Sequence, residues 1–157
     1  MSFNTRLAAL LALTLIAPAC KKADTNAPGG GGKGLSVAEA EAQRVQKQKD
    51  AKARTLTGLA NEDLAKGRWK SAMDRAKRAL EAEPNNAEAF AVLGAANWRA
   101  GDFEASTKAY KEALELDPND PVSHANLALI YLEVNRNAAA KAEIDTALSV
   151  DPSFDIG

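Results

Sequence analysis

The sequence predicts an all-α fold, a solenoid of three 34-residue helix-turn-helix repeats that a polar N-terminal helix precedes. Two observations carry this prediction. Pro84, Pro118 and Pro152 recur at a constant spacing of 34 residues, and each closes a segment that begins with Ala-Leu. Between them apolar residues return at helical spacing and nowhere alternate with period two, so no strand is expected. The repeats are placed at 53–86, 87–120 and 121–154.

The composition bounds the classes of function. The chain has 157 residues, of which 46% are hydrophobic, 26% charged and 5% aromatic, as in a soluble globular protein. A formal net charge of -1 supplies no overall field that would recruit nucleic acid. One His and one Cys exclude a Cys/His zinc site and an internal disulfide framework. These observations favour a helical interaction protein without a metal or cofactor.

Residues 1–19 are predicted to be a secretory signal peptide. Arg6 is the only charged residue before residue 21, and an apolar run of eleven residues follows it from Leu7 to Ala17. A membrane-spanning helix needs roughly 18 apolar residues, so this run is too short to remain in the bilayer. Small residues from Ala17 to Ala19 supply the cleavage pattern of such a signal.

Cys20 follows the predicted cleavage site directly. The segment from Ile16 to Cys20 resembles a bacterial lipobox, with Ala17 where leucine is usual. The resemblance implies covalent lipid on the thiol and the new amino group of Cys20, and hence a membrane anchor. The alternative is ordinary secretion that leaves a free thiol. Lys21 stands where lipoproteins retained in the inner membrane tend to carry Asp, which implies the outer membrane, facing the periplasm.

Residues 20–34 are predicted to form a flexible tether after the lipidated cysteine. The stretch 21–34 holds five Gly and one Pro, a composition that supports neither helix nor strand. A phosphate-binding loop is excluded, because Lys33 is followed by Gly34 instead of Ser or Thr and no strand precedes it.

A polar helix is predicted at 35–52. Ser36 and Glu39 form the sequence pattern of a capping box at its start. No Gly or Pro interrupts the chain before Gly58, so this helix can continue into the first repeat. The alternative is a separate helix that caps the solenoid.

The ends of the repeat helices also have signals in the sequence. Gly67 and Gly101 are predicted to take the positive φ of a helix C-terminus, and Asn135 is the next-best residue in the third copy. Asp120 is predicted to cap the helix whose first residue is Pro121. Each repeat proline ends the second helix of its copy.

The middle copy resembles the tetratricopeptide repeat. It carries the family's aromatic, Leu-Gly, turn-Gly and closing residues at Phe90, Leu93, Gly94, Gly101, Phe103, Ser106, Tyr110, Ala113 and Pro118. The resemblance covers 53–154 and leaves 155–157 as a tail. Leu56 and His124 replace the opening aromatic in the outer copies, while Ala60 and Ala128 replace the Gly. We therefore expect the outer copies to be packed more loosely.

The resemblance implies a protein-binding groove, because ligands in this family lie along the first helices on the concave side. Trp98 is our leading candidate for a binding hot spot, and the alternative is that it packs between repeats. The family's carboxylate clamp is not expected, since only Asn61 matches it and Thr57 replaces its lysine. The predicted groove residues are Asn61, Leu64, Val92, Ala95, Trp98, Arg99, Asn126 and Leu129.

Charge is distributed unevenly. Residues 20–83 have a net charge of +5, and residues 84–157 have a net charge of -7. The basic half suits anionic lipid headgroups or an acidic partner, and the alternative is an ordinary solvated helix face. Its basic cluster on the second helix of the first copy is Arg68, Lys70, Arg75, Lys77 and Arg78.

Catalysis is not expected. His124 is the only imidazole and falls on a core position of its repeat, which predicts a packed, hydrogen-bonded side chain instead of a general base. Glu62 and Asp63 are interpreted as solvated surface charges. The sequence therefore predicts that the chain is not an enzyme.

The expected function is a lipid-anchored periplasmic scaffold or assembly factor that binds a protein or peptide through the groove. In layout the chain resembles the lipoprotein pilotins that help to assemble secretins for type IV pili or secretion, and the alternative is an adaptor for cell-wall enzymes. Val150, Phe154 and Ile156 are apolar at the C-terminal edge. They either fold back as a plug or are covered by a partner, including a second copy that would form a homodimer.

Overall fold

The computed structural model describes residues 35–153, which form helices and no strand. This confirms the all-α prediction. No helix within that range is long and apolar enough to cross a bilayer. The predicted signal peptide, Cys20, the tether, Phe154 and the tail 155–157 lie outside the described residues. The helices are α1 Val37–Ala65, α2 Trp69–Ala82, α3 Ala87–Arg99, α4 Phe103–Leu116, α5 Pro121–Glu133 and α6 Asn137–Val150.

The helices pack as three successive hairpins, α1 with α2, α3 with α4, and α5 with α6. The first helix of each later hairpin also packs against both helices of the hairpin before it, so α3 contacts α1 and α2 while α5 contacts α3 and α4. Each repeat therefore buries its apolar face only against its neighbours, as in a solenoid. This confirms the predicted architecture.

Every hairpin turns on a residue with positive φ, as predicted. The angles are 70° at Gly67, 80° at Gly101 and 58° at Asn135. In the first turn the Gly67 N–H donates to the carbonyl of Leu64 at 2.9 Å, and the Arg68 N–H donates to that of Asp63 at 2.7 Å. This pair of bonds is a Schellman motif, and equivalent bonds recur in the other two turns.

The connections between hairpins are also as predicted. The second helices end two residues before each repeat proline, at Ala82, Leu116 and Val150. Asp120 caps α5 by accepting hydrogen bonds from the backbone N–H groups of Val122 and Ser123, and Pro121 is the first helical residue.

The polar segment 35–52 is not a separate helix. It forms the first part of α1, a single helix of 29 residues that begins with the predicted capping box between Ser36 and Glu39. Nearly all of its side chains are exposed, and the first buried residue of α1 is Ala53. Of the two alternatives that the sequence leaves open, the structure shows fusion with the first repeat.

The exposed start of α1 is expected to be the least protected helical segment. Isolated helices are marginal in water, because most helical stability in proteins comes from tertiary packing. We expect limited trypsin digestion to cut after Arg44, Lys47 and Lys49 well before it cuts after Lys108 or Lys111 of α4. Mass spectrometry of the fragments checks this. Equal rates at the two sets would contradict the assignment of a packed solenoid and an unpacked extension.

The core is built largely from alanine, and its tightest point lies in the middle repeat. A Cβ placed on Gly94 of α3 would lie 2.8 Å from the ring of Tyr110 on α4. The Ser106 hydroxyl donates to the Gly94 carbonyl at 2.7 Å and ties the same two helices together. The absence of a side chain at Gly94 therefore allows α3 and α4 to approach closely.

Candidate functional site

A cavity of about 380 Å³ lies between the first helices of the three repeats, α1, α3 and α5. We call this cavity the groove. Its floor includes Ala91, Val92 and Ala95 of α3, and Tyr110 and Ala113 of α4 extend it. The small side chains of α3 leave the space open, because alanine fills little of the gap between adjacent repeats.

The groove brings together five of the eight residues predicted to line it: Asn61, Leu64, Val92, Ala95 and Asn126. They come from all three first helices, so the space is shared by the whole array. The Asn61 side-chain amide donates to the Glu88 carboxylate at 2.7 Å and fixes the relative position of these two side chains on α1 and α3.

Three predicted residues do not line the groove. Trp98 is half-buried and packs against the cluster around Tyr110 and Leu127, in the interface between the second and third repeats. Arg99 is exposed, with its guanidinium 5.2 Å from the centre of the Trp98 ring, within the range of a cation–π contact. Leu129 is exposed on α5. The packing alternative therefore describes Trp98 in this structure.

Sequence reasoning missed the acidic character of the groove. Glu88, Asp117 and Asp120 line it, and none of the basic residues in the described range 35–153 does. Within residues 35–153 none of these three carboxylates forms a salt bridge. The net charge of -7 over residues 84–157 was the available signal. A net charge over half of the chain does not indicate which of its carboxylates share one cavity.

Tyr110 contributes a hydroxyl to the groove lining. Its residue is 2% exposed, and its hydroxyl forms no hydrogen bond with residues 35–153. Since no fully buried side-chain polar atom in that range lacks a partner, this hydroxyl must be in contact with solvent. Burial, with the nearby charge of Asp120, raises the pKa of the Tyr110 phenol. The hydroxyl thus stays protonated at neutral pH and is free to donate or accept a hydrogen bond from a ligand.

His124 is packed and hydrogen-bonded, as predicted. Its Nδ1 lies 2.7 Å from a carboxylate oxygen of Glu143, and its Nε2 lies 3.1 Å from the carbonyl oxygen of Pro118. Both ring nitrogens are therefore engaged within the third repeat and the loop that precedes it. The contacts join α5 to α6 and to that loop.

The interpretation of Asp63 as a solvated charge is wrong. Its side chain is 2% exposed and accepts hydrogen bonds from Arg68 and Ser71, with Arg68 Nε at 3.0 Å. It also forms an ion pair with Arg75, whose Nε lies 2.9 Å away. The Ser71 and Arg68 hydrogen bonds hold the pKa of the Asp63 carboxyl below its usual value. The neighbouring Glu62 is exposed and pairs with Lys66, as expected of a surface charge.

The predicted basic cluster is correspondingly smaller. Arg68 precedes α2, and both Arg68 and Arg75 turn onto Asp63, so their charge is partly compensated. Lys70, Lys77 and Arg78 remain exposed on α2. Only these three members present a free positive surface.

The last repeat has an apolar outer edge. Leu132 of α5 and Leu148 of α6 are exposed, whereas Leu114, which corresponds to Leu148 one repeat earlier, is half-buried. The difference follows from stacking, because the third repeat has no further hairpin against it within residues 35–153. Val150, the first residue of the predicted plug, is exposed at the end of α6, and Phe154 and Ile156 lie outside the described residues.

Comparison with known proteins identifies the repeat. The family described as tetratricopeptide repeat matches residues 57–121 and, in a second variant, residues 97–155, and together these matches span more than half of the chain. A search of curated proteins found no match.

Solved structures share the fold at low sequence identity. The second tetratricopeptide domain of Spaghetti (RPAP3), bound to the HSP90 peptide SRMEEVD, is 20% identical with a TM-score of 0.65, over 69% of this chain and 99% of that one. A Thermobaculum terrenum O-GlcNAc transferase mutant is 23% identical with a TM-score of 0.65, over 68% and 20%. The Yersinia enterocolitica type III secretion translocator chaperone SycD is 18% identical with a TM-score of 0.62, over 66% and 78%.

Proposed function

Because this chain belongs to the tetratricopeptide-repeat family, we propose that it is a membrane-anchored scaffold or assembly factor of the periplasm that binds a protein or peptide in its groove. The observation that carries the binding proposal is the groove itself. It is open, is formed jointly by three repeats, and is lined by apolar side chains beside hydrogen-bonding groups, a combination typical of binding sites.

The anchor and the location rest on the sequence of the N-terminal segment. A short apolar signal that ends at Cys20 supports lipidation, and the Gly-rich residues after it support a tether. A coil of this length spans ~20 Å, so the repeats would work close to the membrane surface. The exposed Lys70, Lys77 and Arg78 would be attracted to anionic headgroups there.

The specific role that we propose is pilotin-like assistance in assembling a secretin, with an adaptor for cell-wall enzymes as the alternative. That a similar fold serves as a type III secretion translocator chaperone is consistent with an assembly role. The exposed Leu132 and Leu148 would let a second copy or the client cover the outer edge of the last repeat.

Substitutions at Cys20 and at Val122 test the two parts of this proposal. We expect Cys20→Ser to move the protein from the membrane fraction to the soluble fraction. Val122 lines the groove and is 51% exposed, so Val122→Trp adds bulk over the cavity without displacing a core side chain. Crosslinking in the native envelope should then lose the partner that the unaltered chain captures.

A bulky substitution outside the groove serves as the matched control for Val122→Trp. Val45→Trp adds the same bulk to the exposed start of α1 and should leave the crosslinked partner unchanged. Trp98→Ala is a weaker probe, because Trp98 packs between repeats and its loss would also destabilise the array. A partner that survives Val122→Trp would contradict binding in the groove, and membrane retention of Cys20→Ser would contradict the lipid anchor.

A further inference from the structure

We propose that the groove selects partner segments that insert a lysine or arginine side chain between Glu88, Asp117 and Asp120; this rests on the proposed function of the groove as a peptide-binding site. The occupant is thus a basic, extended segment of a partner protein. Charge, an unpaired hydroxyl and the apolar floor support this assignment independently.

The negative charge of the groove is uncompensated within residues 35–153. Glu88 projects from α3, whereas Asp117 and Asp120 lie in the loop between α4 and α5, so the fold gathers them from two parts of the chain. No salt bridge within residues 35–153 neutralises any of them. Carboxylates that share a cavity repel one another and create a negative potential inside it, which a cationic side chain would relieve.

The charges of Glu88 and Asp117 are not needed by the local structure. Asp120 caps α5 through both carboxylate oxygens, Oδ1 accepting from the Val122 N–H and Oδ2 from the N–H and hydroxyl of Ser123, so asparagine keeps the bonds to one oxygen only. Glu88 accepts a hydrogen bond from Asn61, and Asp117 accepts one from the N–H of Asn119, and the carboxamides of glutamine and asparagine could accept both. The negative charge of Glu88 and Asp117 is therefore available to a ligand.

The Tyr110 side chain, 2% exposed, lines the groove, and its hydroxyl has no hydrogen-bond partner within residues 35–153. No fully buried side-chain polar atom in that range lacks a partner, so the hydroxyl contacts solvent and can exchange this water for a ligand. The lone pairs of the hydroxyl can accept a hydrogen bond from an ammonium or guanidinium group. The positive charge of Arg99 lowers the pKa of the Tyr110 phenol, whereas Asp120 raises it. Arg99 does not line the groove, and its guanidinium is stacked over the Trp98 ring.

The lining of the cavity also suits a long basic side chain. Ala91, Val92 and Ala95 form an apolar floor, and long basic side chains lay their methylene stems along such surfaces while their charged ends stay polar. The Asn126 side chain, also in the lining, can bind the backbone of an extended segment. The sign of the charge is opposite to what an acidic peptide such as SRMEEVD, bound by the Spaghetti domain, would require here.

Selection from random peptides tests the proposal. The purified full chain is used to select phage-displayed peptides, and phage that also bind the Val122→Trp variant are discarded. We expect the remaining peptides to be enriched in lysine and arginine. Their affinity should fall as salt rises, because exposed charges are screened.

Two charge-matched triple variants then locate the interaction. Glu88→Gln, Asp117→Asn and Asp120→Asn together should weaken a selected peptide roughly tenfold or more. Glu41→Gln, Asp74→Asn and Glu81→Gln change the net charge equally at exposed positions outside the groove lining and should change affinity by less than about twofold. Circular dichroism confirms that both variants remain folded.

The outcomes separate this inference from the proposed function. Peptides that depend on the groove but carry no basic enrichment, or that bind the neutralised groove as well as the original, would overturn the inference and leave peptide binding intact. If no groove-dependent peptide emerges and the crosslinked partner is unaffected by Val122→Trp, peptide binding in the groove fails, and the charge selection fails with it.

Discussion

Gly94→Ala is expected to destabilise the fold by about 1–2 kcal/mol, although alanine is the better helix former. The added Cβ would lie 2.8 Å from the Tyr110 ring, closer than carbon atoms pack. The ring is fixed in the core of the middle repeat and can move only by disturbing Leu127 and its neighbours. Overpacking therefore outweighs the gain of about 1 kcal/mol in helix propensity.

Two companion variants isolate this effect, and urea unfolding monitored by circular dichroism measures all of them. Gly58 of α1 has nothing within 4 Å of an added Cβ, so Gly58→Ala should stabilise by about 0.5–1 kcal/mol. In a Tyr110→Ala background the clash is gone, and Gly94→Ala should become stabilising. Equal stabilisation by Gly58→Ala and Gly94→Ala in the unaltered chain would contradict the packing argument.

The sequence predicts most of the fold because the signals involved are local. The positive φ of Gly67 and Asn135, the cap at Asp120 and the helix ends before each proline depend on residues a few positions apart. Such rules operate within one turn of the chain, and the 34-residue period then repeats them.

The residues of the candidate groove are predicted only in part, because equivalent positions in the three repeats have different environments. Leu64, Trp98 and Leu132 occupy the same place in successive repeats. Leu64 lines the groove, Trp98 packs against the third repeat, and Leu132 is exposed at the edge. Whether the side chain is exposed, buried or in the groove depends on how the neighbouring repeat packs against it. An alignment of the repeats does not contain this information.

Asp63 shows why burial of a charge escapes prediction from sequence. The stretch around it is polar, and its partners Arg68 and Arg75 lie beyond the turn and on the next helix. The carboxylate becomes buried only when the α1–α2 hairpin closes. The acidic groove escapes prediction for the same reason. The sequence indicates that Asp120 caps α5, but it does not indicate that the fold also places Asp120 in the same cavity as Glu88.

Asp63→Asn is expected to destabilise the protein clearly at pH 7, and progressively less as the pH falls below about 3.9. The folded-state pKa of the Asp63 carboxyl is lowered, so its charge contributes stability above the unfolded value of about 3.9. That contribution disappears as the pH falls through the folded value, when the carboxylate is protonated in both states. Thermal unfolding of both chains from pH 7 to pH 3 measures the difference.

The structure explains why a carboxamide cannot replace this carboxylate. In the second repeat Asn97 occupies the same position, but Asp102 stands where the first repeat has Arg68, so no arginine faces the amide from that turn. Asp63→Asn would leave Arg68 and Arg75 directed at a neutral group, so both ion pairs would be lost while the two positive charges remained beside a buried amide. Asp74→Asn, at an exposed position of α2 without an ion pair, is the matched control and should show no such pH dependence. A difference between Asp63→Asn and the unaltered chain that stays constant from pH 7 to pH 3 would mean that hydrogen-bond geometry, and not charge, holds the first hairpin together.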